Sequence, residues 1–265
     1  MTKFSGITPS GHVQLGNHLG AIRRWAAESA PEDLYFVSDL HAMTTTHNPA
    51  RLRSLAGEHL AVLVAAGIAP EQIFVQSDIA KELGALTWIL ECTCSYGEAA
   101  RMIQFKEKSM GQTGVRLSLL TYPVLMAADI LLQGASEVPV GEDQRQHVEL
   151  ARALARRFNG TYGEVFTVPA YEPEARPGLG NLLEILAACT GGEPSELATE
   201  HKTYGSLKEA TAEAVVETLR PLREGAGALL EDPAELDRVR KAGAARAVER
   251  GEHRLQSALR LVGAG

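Results

Sequence analysis

The feature that most constrains the fold is at the N-terminus. A segment that reads as a short buried strand, Lys3 to Ile7, leads into a stretch rich in glycine, proline and serine, Thr8 to Asn17. From Leu19 to Ser29 the spacing turns helical, with Leu19, Ile22, Trp25 and Ala26 on one face. A buried strand, a glycine turn and a helix in that order predict the start of a nucleotide-binding α/β domain.

The alternation continues. Leu34 to Val37 and Ile73 to Gln76 read as strands, with a helix over Pro49 to Ala66 between them. Lys81 to Lys108 has a helical pattern, and Leu119 to Leu132 reads as a loop and then a helix, because Tyr122-Pro123 interrupts it. Val138 to Val140 is a short strand before Gly141, and Asp143 to Phe158 a long helix. After Pro169 only helices follow: Asn181 to Thr190, Pro194 to His201, Lys208 to Arg223 and Pro233 to Val262. The predicted fold class is α/β, a Rossmann-type parallel sheet over residues 1–170 followed by a helical portion over 171–265. The alanine-rich, glycine-punctuated end is expected to be weakly specified and to fray.

Composition narrows the function. With 45% hydrophobic and 22% charged residues the 265-residue chain can bury an ordinary core. A net charge of −7 is not that of a dedicated nucleic-acid module. The three cysteines, Cys92, Cys94 and Cys189, have neither disulfide nor zinc spacing, so no metal site is expected and reduced thiols point to the cytoplasm. No signal pattern opens the chain, and no apolar run reaches the ~18 residues of a membrane span.

Four stretches carry polar chemistry. Gly6 to Asn17 offers close backbone approach for a phosphate or ribose, a helix N-terminus and the Asn17 amide; the alternative is an ordinary glycine-rich turn. Gly141-Glu142-Asp143-Gln144-Arg145-Gln146-His147 follows a strand and opens a helix; the alternative is a helix end capped by Asp143. Tyr122 to Ile130 sets Asp129 among apolar residues, with Met126 and Ile130 one turn apart. A buried Asp there needs a donor, either an indole N–H or a neighbouring Arg or helix end. Arg101 to Lys108 puts Gln104 and Lys108 on one face, where the lysine meets phosphates or water.

Together and in this order, these stretches resemble the bacterial tryptophanyl-tRNA synthetases, a family of class I aminoacyl-tRNA synthetases. Gln14-Leu15-Gly16-Asn17 stands where the family has its His-Ile-Gly-His motif, although Thr or His is commoner in the place of Gln14. Ser38 to Ala42, Met102 to Lys106, Tyr122 to Leu131 and Val138 to His147 match as well. The resemblance implies that Asp129 accepts the indole N–H and that Tyr122 and Gln144 hold the ammonium. It puts Phe4, Gly6, Met126, Ile130, Val138 and Val140 around the indole, with His41 and Gln104 also on the tryptophan side. It assigns Thr8, Gly16, Asn17, Lys108, Gly141 and Asp143 to ATP, and catalysis to Gln14, Asn17 and Lys108. ATP would enter with Mg2+ as a substrate, with no tightly bound cofactor. The implied partners are L-tryptophan, ATP and tRNA(Trp), in a homodimer built on the helices between Leu83 and Leu132.

One departure stands out. After Phe166-Thr167-Val168-Pro169 the family continues through a last strand and a Lys-Met-Ser-Lys-Ser loop, whereas here Tyr171 to Gly178 resembles the segment beyond that loop. No Lys-Met-Ser-Lys-Ser occurs anywhere in the sequence. Three functions are therefore expected to compete: a tryptophan-activating ligase charging tRNA with impaired rate, a ligase joining activated tryptophan to a small amine, and a tryptophan-binding sensor.

Overall fold

A computed structural model describes residues 2–102, 114–141, 144–173, 182–201 and 203–264. Among the described residues five short strands carry the architecture: β1 (Phe4–Ile7), β2 (Leu34–Val37), β3 (Ile73–Val75), β4 (Glu137–Val140) and β5 (Ala170–Pro173). β1, β2 and β3 pair in parallel in that order, and β4 pairs in parallel with β5. The two sheets meet at β1, through the parallel bridge Lys3–Glu137 and a hydrogen bond from Ser5 Oγ to Pro139 O of 3.2 Å. The spatial order is thus β3-β2-β1-β4-β5. The chain builds outward on one side of β1, then returns to the other side. That reversal opens a crevice beyond the C-terminal ends of β1 and β4, where open α/β sheets bind ligands.

The helices are α1 (Leu15–Asn17), α2 (Arg23–Glu28), α3 (Asp39–Ala42), α4 (Pro49–Ala65), α5 (Ala80–Thr93), α6 (Tyr96–Ala100), α7 (Leu117–Gln133), α8 (Arg145–Tyr162), α9 (Leu182–Thr190), α10 (Pro194–Glu200), α11 (Tyr204–Glu231) and α12 (Pro233–Leu261). β5 lies astride the 170/171 boundary read from the sequence.

Several local readings need correction. The first helix begins at Leu15 rather than Leu19 and passes through a π-helical stretch, His18–Ile22, before α2. The pattern from Lys81 is not one helix: it breaks after Thr93, where Ser95 Oγ accepts from Glu98 N and Glu98 answers on Ser95 N, a reciprocal cap that starts α6. Residues 103–113 lie outside the described structure. Pro123 does not separate a loop from a helix. It sits inside α7, which gives up one backbone bond there and keeps its buried face.

The largest correction concerns the C-terminal end, which is not frayed. Val239, Gly243, Ala247, Gly251, Leu255 and Ala258 recur about every four residues and are all buried on one stripe of α12. The small side chains let the helix lie directly on the sheet: a Cβ at Gly243 would fall 1.6 Å from Ile73 O of β3. Ala247, Leu255 and Ala258 share a core with Leu132, Val138 and Phe158. The glycine punctuation that reads as weakness in the sequence is therefore a packing surface.

Candidate functional site

A cavity of about 560 Å³ occupies the crevice between β1 and β4. Its apolar wall begins with Phe4 and Phe36, on neighbouring strands, whose rings stack at 4.8 Å; Phe36 stacks in turn on Phe74 at 5.6 Å. Gly6 faces Phe36 across the β1–β2 register. A Cβ on Gly6 would lie 2.4 Å from the Phe36 ring, so glycine is required for the ring to lean over β1. Val138 and Val140 of β4 complete this side.

The opposite wall is α7. Tyr122, Met126, Asp129 and Ile130 follow the i, i+4, i+7, i+8 spacing of a single helix face, and all four line the cavity. Asp129 is 1% exposed. Its Oδ2 accepts from His41 Nε2 at 2.9 Å, and Gln76 Nε2 donates to Oδ1 and Oδ2 at 3.0 and 2.8 Å. Burial pushes the Asp129 carboxyl above the usual carboxylate range, against the opposing pull of His41 and Gln76. Tyr122 lies edge-on to His41, and its hydroxyl is 2.9 Å from His147 Nε2; burial raises its pKa to about 12, so the phenol stays neutral.

At the other end the cavity reaches the first turn. Thr8 Oγ1 and Ser38 Oγ lie 2.8 Å apart, and Ser38 N–H donates to Ile7 O, tying the ends of β1 and β2 together. Asn17 Oδ1 accepts from Gln14 N at 3.1 Å, and Asn17 lines the cavity. Gly141 and Gln144 close the rim beside β4. Among the described residues no three His, Cys, Asp or Glu side chains are placed to hold a metal ion.

The cavity brings together Phe4, Gly6, Thr8, Asn17, His41, Tyr122, Met126, Asp129, Ile130, Val138, Val140, Gly141 and Gln144, all singled out in the sequence. Gln14 and Gly16 lie on the exposed turn beside it and do not line it. Gln104, Lys108 and Asp143 lie outside the described residues. Sequence reasoning missed Gln76 and the pairing of Tyr122 with His147. The available signal for Gln76 was a polar residue directly after the fully buried run Ile73-Phe74-Val75, at the ligand-binding edge of the sheet.

Among the described residues, a three-stranded parallel sheet bridged to a parallel pair flanks a crevice with a buried acid on one wall and Asn17 at its other end; the fold is that of the class I aminoacyl-tRNA synthetases. Residues 1–172 match the family described as tRNA synthetases class I (W and Y). Tryptophan–tRNA ligase 1 of Streptomyces coelicolor is 45% identical over 324 aligned positions, covering 98% of this chain and 96% of the relative. The Clostridium perfringens tryptophan–tRNA ligase is 38% identical over 306 positions, covering 92% of each chain. The tryptophanyl-tRNA synthetase of Campylobacter jejuni, solved with ADP and tryptophan, superposes with a TM-score of 0.88 at 27% identity, covering 99% of this chain and all of its own. The chain belongs to the tryptophan–tRNA ligase family. It is also shorter than the alignment with the Streptomyces coelicolor relative: 324 positions exceed its 265 residues by 59, so the relative carries residues with no counterpart here.

Proposed function

We propose that the cavity binds L-tryptophan and that the chain activates it with Mg2+–ATP to tryptophanyl-adenylate and pyrophosphate. The observation that carries this reading is Asp129, a buried acceptor in an apolar, aromatic cavity of a size for an indole and more. An indole fits because it is flat, apolar and carries one N–H donor. Phe4, Gly6, Met126, Ile130, Val138 and Val140 enclose the ring. Tyr122 and Gln144 hold the ammonium and His41 stands by Asp129, with Gln104 on the same side.

ATP takes the other end, against Thr8, Gly16, Asn17, Gly141 and Asp143, with Lys108 at its phosphates. Catalysis consists of holding the tryptophan carboxylate in line with the α-phosphate and stabilising the departing pyrophosphate, work assigned to Gln14, Asn17 and Lys108. The sequence has no Lys-Met-Ser-Lys-Ser, so this stabilisation is weaker than in relatives that carry the loop. The reaction belongs in the cytoplasm, and no helix among the described residues is long and apolar enough to cross a membrane. Trp88, Tyr96 and Leu117, exposed on α5, α6 and α7, support a homodimer through those helices.

tRNA(Trp) is the family's acceptor. The missing loop and the net charge of −7 favour a second reading, in which a small amine takes the activated tryptophan or the chain only binds the amino acid. Tryptophan-dependent ATP–pyrophosphate exchange is the test. Exchange with tryptophan but not phenylalanine is expected; no exchange with tight tryptophan binding would leave only the sensor, and neither would sink the proposal. Product analysis with and without tRNA then identifies the acceptor.

A further inference from the structure

Gln76 is fully buried at the C-terminal end of β3, and its side chain bridges two elements of the site. Its Oε1 accepts from Leu40 N at 3.1 Å and His41 N at 3.4 Å, both in the first turn of α3. Its Nε2 donates to both oxygens of Asp129. The amide can face only one way: reversed, it would set N–H against N–H on one side and oxygen against carboxylate on the other. A carboxylate has about four acceptor sites. Gln76 and His41 make three contacts with Asp129. Among the described residues that count leaves one site for a ligand donor in the cavity that Asp129 lines.

We propose that Gln76 is a positioning residue for tryptophan selectivity, holding the Asp129 carboxylate fixed so that its last acceptor site is presented to an indole N–H. The inference rests on the reading that the cavity takes tryptophan at Asp129. Gln76 touches no ligand itself. It works by holding α3 and α7 at one separation, so that His41 and Asp129 meet, and by preventing the carboxylate from rotating to satisfy itself elsewhere. The titratable groups acting on Asp129 are His41, in contact from α3, and Asp39, whose charge reaches it from the same helix.

The test is calorimetry with L-tryptophan and its benzothiophene analogue, in which sulfur replaces the indole N–H. The unaltered chain should prefer tryptophan by about ten- to hundredfold, the worth of one hydrogen bond to a charged group. Gln76→Leu should reduce that preference to within about threefold, chiefly by weakening tryptophan binding while the analogue is held as before. If the unaltered chain shows no preference, the Asp129 reading fails and this inference with it. If it does, and Gln76→Leu keeps the full preference, this inference alone is overturned. Should Gln76→Leu bind neither ligand, Gln76→Glu decides. It keeps the shape but sets a second carboxylate against Asp129, so the pair must share a proton. The preference should then vary with pH as that shared proton titrates; a flat profile at the unaltered preference would overturn the proposal.

Discussion

Replacing Gly243 by alanine puts opposite signs on two accounts of the C-terminal helix. If α12 were loose, alanine would stabilise it by up to about 1 kcal/mol, the difference in helix propensity. In the structure the added methyl carbon would stand 1.6 Å from Ile73 O, 2.6 Å from Ile73 C and 3.3 Å from Phe74 Cα. All three are backbone atoms of β3, so no rotamer change relieves the contact and the helix must lift from the sheet. Overpacking of a core costs about 1–3 kcal/mol, occasionally more, and a backbone obstacle belongs at the upper end. For a chain of this size 1 kcal/mol moves the melting midpoint by about 2–4 °C, so a fall of roughly 4–12 °C is expected. Gly251→Ala meets the flexible Leu132 side chain at 2.8 Å and should cost less, whereas Gly227→Ala in α11 meets nothing and should be neutral or stabilising. Thermal unfolding of the three variants in parallel is the assay. A midpoint for Gly243→Ala at or above that of the unaltered chain would refute the close packing of α12. β3 ends next to Gln76, so the same substitution should also weaken tryptophan binding.

Gly6→Ala drives a methyl into the Phe36 ring and breaks the stack with Phe4 and Phe74; it should cost about 1–3 kcal/mol of stability and weaken tryptophan binding, both readable by calorimetry. Asp129→Ala should cost about 1.5–3 kcal/mol in tryptophan affinity and also lower the melting midpoint, because it strands the buried donors of Gln76 and His41. An unchanged midpoint would argue against that network. His59 is buried, with Nδ1 2.8 Å from Leu55 O, and burial holds its pKa below 6.5. The unfolded chain then binds the proton more readily, so this contribution is complete above pH 6.5 and is lost as pH falls below it. His59→Gln should flatten the decline of the melting midpoint between about pH 7 and 5 without abolishing it, since buried His18 titrates in the same sense.

Much of the sheet was legible because parallel strands buried on both faces read as short apolar runs, as at Leu34 to Val37 and at Ile73 to Gln76, although Gln76 itself opens a 3-10 turn; β5 at Ala170–Pro173 was missed, since only helices were read after Pro169. Asp129 was legible for a related reason: an acid in an apolar helix face announces a partner. What that partner is was not legible. The sequence offered an indole N–H, an arginine or a helix end, whereas within the chain the structure supplies His41 and Gln76, separated from Asp129 by 88 and 53 positions. Helix ends were read poorly where a local device decides them, as at the Ser95–Glu98 cap, or where proline is absorbed, as at Pro123 in α7. The α12 stripe failed differently. Gly243 and Gly251 look like weak helix formers until the strand they lie against is known, because their value is distance to another element and not local propensity.

The two ends of the site rest on different supports, and that difference sets how the missing loop should act. The end proposed for tryptophan is built on β1, β4 and α7, with Phe4, Asp129, Ile130 and Val138 each at most 2% exposed. None of these depends on the Lys-Met-Ser-Lys-Ser segment. The end proposed for the phosphates rests on an exposed three-residue turn of helix at Leu15–Asn17 and on Gly141. Removing a preorganised donor from a developing charge costs about 10²–10³ in rate, roughly 2.7–4 kcal/mol. Losing a lid as well admits water and loosens the alignment. The expected result is a tryptophan dissociation constant in the micromolar to low millimolar range, alongside pyrophosphate exchange at least about a hundredfold slower than the ~1–10³ per second of ordinary enzymes. Exchange at ordinary rates would mean that the groups already present, Asn17 and Lys108 among them, stabilise the pyrophosphate unaided. Weak tryptophan binding together with slow exchange would place the damage in the buried half of the site, contrary to the burial and hydrogen bonding of Asp129.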